Sequence, residues 1–316
     1  MLINFIVTFI ITVILMPIFI RFMRTHQFGQ EIRDEGPAWH EVKSGTPTMG
    51  GTVFLMVASL VTVVSLLFNQ QGGEAQAWLL VFALLFFAAI GFLDDFLIIF
   101  RKQNEGLKSG QKFVAQMIGS AVLVLLMTLM AQQVAIPLPM IGLVTNPLLV
   151  FVFLLIWITG FSNAFNLTDG LDGLSSGVGI VSFTTYAYLA YQANQADIAA
   201  FCMAVVGGLL GFIIFNVKPA KIFMGDVGSL ALGAVLAVIS VLLGNPWTLL
   251  LVGFIYIVET LSVILQVISF KTTGKRLFKM SPIHHHFEML GWSEWRVVTT
   301  FWACQLLASI IAIILF

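Results

Sequence analysis

The residues with the clearest chemical potential are acidic side chains that lie within apolar sequence. Asp94 and Asp95 are adjacent in Gly-Phe-Leu-Asp-Asp-Phe-Leu-Ile-Ile-Phe (91–100), where apolar residues continue on both sides of the pair. Two neighbouring carboxylates repel each other unless a cation lies close by. The pair therefore predicts a cation site or a proton acceptor, in preference to a polar membrane boundary.

Three further aspartates occur in segments rich in glycine. Asp226 precedes an apolar run, so it can serve equally well as a helix cap or as a metal ligand. Asp169 and Asp172 lie in the segment 163–173, which is crowded with short polar side chains and glycines. Asp172 could cap the next helix, but the other polar residues of the segment suggest a loop that folds around a polar ligand.

Two more segments carry polar groups. Positions 284–286 are three consecutive histidines, which on a helix point about 100° apart and cannot all face one metal. Zinc sites also prefer spaced ligands, so one or two histidines that donate to an anion are favoured over zinc, with an interfacial patch as the alternative. Lys43 begins a glycine-rich stretch, 43–51, which could hold phosphate but lacks the P-loop spacing.

Composition decides the environment of these residues. Hydrophobic residues make up 59% of the chain and charged residues 9%, whereas soluble domains are about one quarter charged. Since a helix needs about 20 mostly apolar residues to cross a bilayer, the sequence predicts an all-α polytopic membrane protein with ten transmembrane helices in a single domain, 1–316. The predicted spans are 2–21, 48–68, 77–97, 113–131, 147–162, 174–191, 198–215, 228–243, 247–270 and 297–316.

The basic residues predict the orientation of these spans. All 15 Lys and Arg residues lie in or beside alternate loops, and the loops 69–76, 132–146, 192–197 and 244–246 contain none. Basic loops stay in the cytosol, so both termini are expected to be extracytoplasmic, and the first span is expected to be retained rather than cleaved as a signal peptide. Glu294, in a polar stretch, is expected to be an ordinary solvated charge.

On this orientation every polar cluster lies on the cytosolic face. Carboxylates, glycine-rich loops, lysine and histidine together suggest a Mg²⁺ ion that holds a phosphate-bearing substrate, because Mg²⁺ combines few carboxylates with water and phosphate oxygens. The membrane setting suggests a lipid phosphate as one substrate and a nucleotide-activated group as the other. No segment predicts a nucleic-acid partner.

These residues also carry a resemblance. Over essentially its whole length the chain resembles the polyprenyl-phosphate N-acetylhexosamine-1-phosphate transferase superfamily, and the histidine segment is similar to that of its muramoyl-pentapeptide branch. The motifs are Lys-Ser-Gly-Thr-Pro-Thr-Met-Gly-Gly (43–51), the Asp94–Asp95 pair, 163–173, Phe-Met-Gly-Asp (223–226) and Pro-Ile-His-His-His-Phe-Glu (282–288).

The resemblance implies a reaction and a setting. UDP-MurNAc-pentapeptide and undecaprenyl phosphate would give undecaprenyl-pyrophosphoryl-MurNAc-pentapeptide and UMP, with Mg²⁺ as cofactor. The site would face the cytosol from the bacterial inner membrane. The resemblance also implies a homodimer, a ninth helix that breaks, and an extracytoplasmic hairpin within 132–146.

Roles for individual residues follow from the matching motifs. The resemblance implies that Asp226 binds the metal and that Asp94, with Asp95 beside it, is the base for the lipid phosphate; an aspartate nucleophile with a covalent intermediate is the alternative. His284, and with it His285, would contact the diphosphate. The positions that match the nucleoside side are Lys43, Thr48, Asn166, Asp169, Asp172 and Phe223. The resemblance implies that Phe223 is available to stack on uracil. Lys102 and Lys112 are the matching positions for the lipid phosphate.

Two other functions compete with this one. A sibling transferase that uses UDP-GlcNAc would have the same fold and metal chemistry, and would be distinguished by the lipid-linked sugar that it forms. A secondary transporter would place polar residues near the bilayer midplane, often in paired repeats. Glu259 and Gln266 in the ninth span would favour a transporter, but the other acids gather at one face and no repeat is visible.

Overall fold

The computed structural model describes residues 1–26, 28, 43, 45–68, 74–101, 106–130, 135–138 and 142–316. Within these ranges the chain folds into twelve α-helices and one short hairpin. The helices are α1 (Leu2–Thr25), α2 (Gly51–Phe68), α3 (Glu74–Arg101), α4 (Ser109–Leu129), α5 (Pro147–Thr168), α6 (Leu174–Gln192), α7 (Ala196–Asn216), α8 (Asp226–Leu242), α9 (Leu249–Val252), α10 (Phe254–Thr273), α11 (Ile283–Met289) and α12 (Glu294–Leu315).

The hairpin joins α4 to α5. Strands β1 (Ile136–Leu138) and β2 (Gly142–Val144) pair antiparallel, with Ile136 opposite Val144 and Leu138 opposite Gly142. The hairpin expected in this loop is therefore confirmed, and its side of the membrane stays a prediction.

In the part of the chain that the structure describes, eight helices are long and apolar enough to cross a membrane by length and composition, namely α1 to α5, α7, α10 and α12. A multi-pass, all-α membrane fold is therefore confirmed. The sixth and eighth predicted spans correspond to α6 and α8, which are not among the eight. The sequence of α6 contains several serines, threonines and tyrosines, and α8 has only 17 residues. The count of ten crossings, like the orientation of the termini, stays a prediction.

Helix α8 forms the centre of the bundle. Every residue from Val227 to Leu242 is buried, and α8 packs mainly against α3 and α5. A helix that is apolar on all sides can be buried on all sides, so α8 needs no polar or lipid-facing stripe. Its first residue is Asp226, and the central helix therefore begins in the candidate site.

Glycines allow the backbones of α2 and α3 to contact the backbone of α8 directly. A Cβ on Gly91 of α3 would lie 2.1 Å from the Asp226 carbonyl oxygen, and one on Gly51 of α2 would lie 2.5 Å from the Gly228 backbone. Only residues without a side chain permit such contacts. The two contacts fix the start of α8 against both α2 and α3.

The ninth apolar segment is broken at Gly253, between α9 and α10, as the resemblance implies. The backbone groups near the break find side-chain partners. Gln305 Nε2 donates to the Val252 carbonyl at 2.8 Å, Ser182 Oγ donates to the same oxygen at 2.7 Å, and the Ile255 N–H donates to Gln305 Oε1 at 3.1 Å. The break is thus stable in an apolar setting, where unpaired backbone groups would be costly.

Candidate active site

A cavity of about 460 Å³ lies where several helix ends meet. The C-terminal parts of α3, α5 and α7 and the N-terminal parts of α4 and α8 contribute to its wall, together with the segment before α2 and the turn before α11. The predicted site residues that line it are Lys43, Thr48, Asp94, Asp95, Lys112, Asn166, Asp169, Asp172, Phe223, Asp226 and His285. His284 is buried behind the wall, and Lys102 lies outside the described residues.

Three carboxylates converge at one end of the cavity. One oxygen from each of Asp94, Asp95 and Asp226 lies within 4.8 Å of the other two. The Lys112 ammonium bridges this group, 2.9 Å from Asp94 Oδ2 and 2.5 Å from Asp226 Oδ2. The cation that two neighbouring carboxylates require is therefore supplied partly by the protein itself.

Asp95 holds the first turn of α8. Its two carboxylate oxygens accept the backbone N–H groups of Asp226 at 3.2 Å and Val227 at 3.1 Å. These N–H groups have no partner within the helix, and the positive end of the helix dipole favours a carboxylate there. Asp95 thus caps α8 from another helix, whereas Asp226 lies in the first turn and the N-cap position belongs to Gly225.

Asp226 is held in place by an amide from α5. Asn166 Nδ2 donates to Asp226 Oδ1 at 2.7 Å and to Ser229 Oγ at 2.8 Å. Asn166, which the resemblance implies on the nucleoside side, lies next to the acidic cluster. Together with Lys112 it leaves Asp226 ordered but still 21% exposed.

The acidic cluster fits a divalent cation. Mg²⁺ prefers oxygen ligands, and two ligands on one Mg²⁺ at about 2.1 Å stand at most about 4.2 Å apart. The three carboxylate oxygens lie within 4.8 Å of one another, so one of them could bind the ion directly, the others could act directly after a small shift or through water, and water or phosphate oxygens would complete the shell. Asp226, with its side chain 21% exposed, faces the cavity more openly than Asp94, with 5%.

The segment before α2 is tied to the segment before α8. The Phe223 N–H donates to the Pro47 carbonyl at 2.8 Å, and the Gly50 N–H donates to the Phe223 carbonyl at 2.9 Å. Gly225 has φ +78°, and a Cβ added to it would lie close to Asp95 Oδ2 and 3.1 Å from Thr48 Oγ1. The described part of the glycine-rich stretch 43–51 therefore positions Thr48 and Phe223 at the cavity through its backbone.

Asp169 follows α5 and lies half-buried in the cavity wall. Burial raises the pKa of its carboxyl to about 7, the Asp226 and Asp172 charges raise it further, and the hydroxyl that Ser175 donates opposes them. A carboxyl with this pKa changes its charge near neutral pH.

A second charged cluster, which we call the Lys43 network, borders the cavity through Lys43 and Asp172. Lys43 Nζ lies 2.7 Å from Asp172 Oδ1 and 2.5 Å from Glu294 Oε1, and Lys218 Nζ lies 2.9 Å from Glu294 Oε2. Burial lowers the pKa of Lys43, but the Glu294 and Asp172 carboxylates raise it by more. Asp172 also accepts the Ala220 N–H at 2.9 Å. Asp172 is therefore part of an ion-pair network and does not cap α6, whose N-cap is Gly173.

The prediction that Glu294 is a solvated surface charge is wrong. Glu294 is 5% exposed, and its carboxylate also accepts the Asp172 N–H at 2.9 Å. It begins α12 after the capping residue Ser293, and this position looked like an ordinary charged first turn. Its partners lie between 76 and 251 residues away in the sequence, so no local pattern indicates them.

The three consecutive histidines have three different environments. His284 is 1% exposed, and its Nδ1 lies 3.0 Å from Glu259 Oε1. His285 lines the cavity, and its Nδ1 lies 2.8 Å from Glu288 Oε2. His286 Nδ1 accepts the Lys279 backbone N–H at 3.1 Å. The three imidazoles therefore have separate partners and do not all face one centre.

The comparisons with known proteins agree with this geometry. A model described as glycosyl transferase family 4 matches residues 77–244, and phospho-N-acetylmuramoyl-pentapeptide-transferase signature 1 matches residues 43–55. The first match spans more than half of the chain and contains the acidic cluster. The chain belongs to glycosyl transferase family 4.

Full-length relatives narrow the assignment. Relatives named phospho-N-acetylmuramoyl-pentapeptide-transferase include one from Lactobacillus gasseri, 54% identical over 99% of this chain and 98% of its own length. The relative from Lactiplantibacillus plantarum is 52% identical over 96% of this chain and 95% of its own length. The relative from Enterococcus faecalis is 50% identical over 96% of this chain and 94% of its own length. Within family 4 the chain is therefore a member of the phospho-N-acetylmuramoyl-pentapeptide-transferase group, which confirms the resemblance inferred from the motifs.

Proposed function

We propose that the protein transfers phospho-MurNAc-pentapeptide from UDP-MurNAc-pentapeptide to undecaprenyl phosphate. An oxygen of the lipid phosphate attacks the sugar-linked phosphorus, the bond to the other phosphate breaks, and UMP leaves. The observation that carries the proposal is the convergence of five distant motifs on one cavity, in a chain whose full-length relatives bear the name of this activity.

The acidic cluster is the proposed Mg²⁺ site, with Asp226 as a direct ligand. Bound Mg²⁺ would neutralise negative charge that develops on the departing phosphate. Support comes from the exposure of Asp226 to the cavity and from the separation of the three carboxylates. Asp95, whose oxygens accept backbone N–H groups of α8, positions Asp226 in this proposal.

Asp94 is the proposed base for the lipid phosphate. Its Oδ1 accepts the Leu107 N–H at 2.8 Å, and its Oδ2 accepts from Lys112 at 2.9 Å. Each carboxylate oxygen has a second lone pair, so Asp94 can still accept a proton. Lys112, between Asp94 and Asp226, would contact the incoming phosphate. The alternative two-step route would instead form a covalent phospho-aspartate, which rapid quenching of the reaction would trap.

The Lys43 network, Asn166, Asp169 and Phe223 are proposed for the nucleoside end of the substrate, and His285 with His284 for the diphosphate. The proposal assigns Phe223 to stack on uracil. Lys102 keeps its proposed role at the lipid phosphate on the basis of the resemblance alone.

We propose ten crossings, α6 and α8 included, with both termini extracytoplasmic and the cavity open to the cytosol from the bacterial inner membrane. Confinement of the basic residues to one set of loops supports this orientation. A homodimer is proposed from the resemblance. Labelling of single cysteines beside Asp169 in intact cells tests the orientation, since labelling by a membrane-impermeant reagent would refute it.

The activity is tested by release of UMP from UDP-MurNAc-pentapeptide by the purified protein, with and without Mg²⁺ and undecaprenyl phosphate. We expect release only when all are present. UDP-GlcNAc serves as the matched substrate control, and lipid-linked GlcNAc-phosphate without a MurNAc product would refute the proposal.

Two substitutions test the proposed roles of the aspartates. Asp226→Asn should abolish Mg²⁺-dependent turnover in a folded protein, and retained turnover would show that Asp226 is not the metal ligand. Asp94→Asn should abolish UMP release, and retained release would show that Asp94 is not the base.

A further inference from the structure

Glu259 is an acidic residue inside a membrane-length helix that the proposed function does not use. It lies in α10, on the face formed by the buried residues Ile255, Tyr256, Glu259 and Ser262, and its exposure is 0%. A carboxyl group in such a place is costly unless it has a partner, and intramembrane acids usually have a functional role.

The partner of Glu259 is the first histidine of the run. Glu259 Oε1 lies 3.0 Å from His284 Nδ1, and the two side chains are 0% and 1% exposed. The other carboxylate oxygen, Oε2, is buried without a hydrogen-bond partner among the described residues. Among the described residues, the Glu259 carboxylate therefore makes its hydrogen bond to His284.

The other end of the imidazole faces the cavity wall. His284 Nε2 is buried without a hydrogen-bond partner among the residues that the structure describes. It lies against Gly170, where an added Cβ would stand 2.4 Å from Nε2, and Gly170 itself lines the cavity. The ring is thus held at Nδ1, while Nε2 lies against Gly170, a residue of the cavity wall.

We propose that Glu259 is a positioning residue that acts through His284. Its carboxylate accepts the Nδ1–H and so fixes the ring orientation, and its negative charge lies beside the positive charge of a ring that carries a proton on both nitrogens. A protonated Nε2 then donates past Gly170 to a phosphate oxygen of the nucleotide substrate. The inference rests on the proposed function, because it assigns Nε2 to the diphosphate of that reaction.

A purely structural role for the pair makes a different prediction. If Glu259 only held α10 to α11, its loss would lower stability and would add to the effect of losing His284. If it acts through His284, its loss has no further effect on turnover once His284 is gone, because residues that act as a unit are not additive.

The experiment is a double-mutant cycle on the full-length protein in detergent. Glu259→Gln, which keeps the shape and removes the charge, should lower kcat about 10- to 100-fold, with a smaller change in KM for UDP-MurNAc-pentapeptide. Glu259→Gln combined with His284→Ala should be no slower than His284→Ala alone. Ser262→Ala, on the same buried face, is the control: it removes a hydroxyl that donates to the Glu259 main-chain carbonyl at 2.6 Å but keeps the Glu259 carboxylate, so it should retain the wild-type kcat.

A second variant approaches the ring from the other side. Gly170→Ala places a methyl group against Nε2 without touching Glu259, so it should lower kcat in the wild-type background and have no further effect in His284→Ala. The proposal is overturned if the loss of kcat caused by Glu259→Gln or by Gly170→Ala multiplies with the loss caused by His284→Ala. It is also overturned if the kcat of Glu259→Gln is within threefold of wild type.

A spectroscopic readout separates this inference from the proposed function. The chain has 5 histidines, so selective ¹⁵N labelling gives a spectrum in which His284→Ala identifies the His284 signals. Glu259→Gln should shift the His284 Nδ1–H resonance and leave those of the other histidines in place. If Glu259→Gln shifts the His284 resonance but the wild-type protein releases no UMP, the proposed function alone is refuted. If the wild-type protein is active but Glu259→Gln does not shift the His284 resonance, this inference alone is refuted.

Discussion

The contact between α3 and α8 at Gly91 makes the geometry of the acidic cluster sensitive to a single methyl group. A Cβ on Gly91 would lie 2.1 Å from the Asp226 carbonyl oxygen, 2.3 Å from its carbonyl carbon and 2.4 Å from Val227 N. All three are backbone atoms, so no side chain can rotate away. Real Cβ contacts are essentially never shorter than 3.0 Å, and Gly91→Ala must therefore move the start of α8 by about 0.9 Å or more.

This displacement affects the acidic cluster directly. The bonds from Asp95 to the Asp226 and Val227 N–H groups are already 3.2 and 3.1 Å long, and a further shift of this size would break them. Displacement of a catalytic group by about 1 Å can cost on the order of 100-fold in rate. We expect Gly91→Ala to lower kcat for UMP release by about 100-fold and to lower the midpoint of thermal unfolding.

Gly160→Ala is the matched control. Gly160 is also a helical glycine in a membrane-length helix, but a Cβ there meets no atom within 4 Å. It should retain wild-type kcat and gain slightly in stability from the helix propensity of alanine. Purified protein of each variant is assayed for UMP release and thermal unfolding. A Gly91→Ala kcat within threefold of the control would refute the argument that this contact positions Asp226.

Two further predictions concern the rest of the cavity. Glu294→Gln removes the charge of one of the two acidic partners of Lys43, which is also the described partner of Lys218. It should destabilise the protein by about 2 kcal/mol and raise KM for UDP-MurNAc-pentapeptide. An unchanged thermal midpoint and an unchanged KM would contradict the role of the Lys43 network. Asp169, with its pKa raised to about 7, stays protonated in the folded protein while the unfolded chain ionises, so its contribution to stability falls as pH rises from about 4 to 7. Asp169→Asn should therefore unfold at a higher temperature than wild type at pH 8 and at a similar temperature at pH 4. An equal difference at both pH values would show that this carboxyl does not titrate between them.

The positions of the long helices could be predicted because the signal is local. A run of about 20 apolar residues determines a span from residues that are neighbours in the sequence, and most of the ten predicted runs coincide with helices. One exception depends on residues that are remote in the sequence. The ninth run breaks at Gly253, where Gln305 and Ser182 satisfy the free backbone groups, and these partners come from other helices.

The identity of many cavity residues could also be predicted, because acids in apolar sequence and dense polar motifs are unusual. Their partnerships could not. Lys112 bridges Asp94 and Asp226, whereas the resemblance implied for it only a contact with the lipid phosphate. Asp95 caps a helix that begins more than a hundred residues later.

What the amino-acid sequence alone determined is the membrane class, the helix pattern, the family and the candidate residues, since each depends on composition or on short motifs. Only the tertiary structure decided that Glu294 is buried in the Lys43 network, that His284 and His285 have different partners, and that Glu259 lies against His284. The physical reason is that hydropathy acts on neighbours in the chain, whereas an ion pair or a hydrogen bond depends on distances of about 3 Å that packing sets between remote segments. Lys43 and Glu294, 251 residues apart in the sequence, are 2.5 Å apart in the fold.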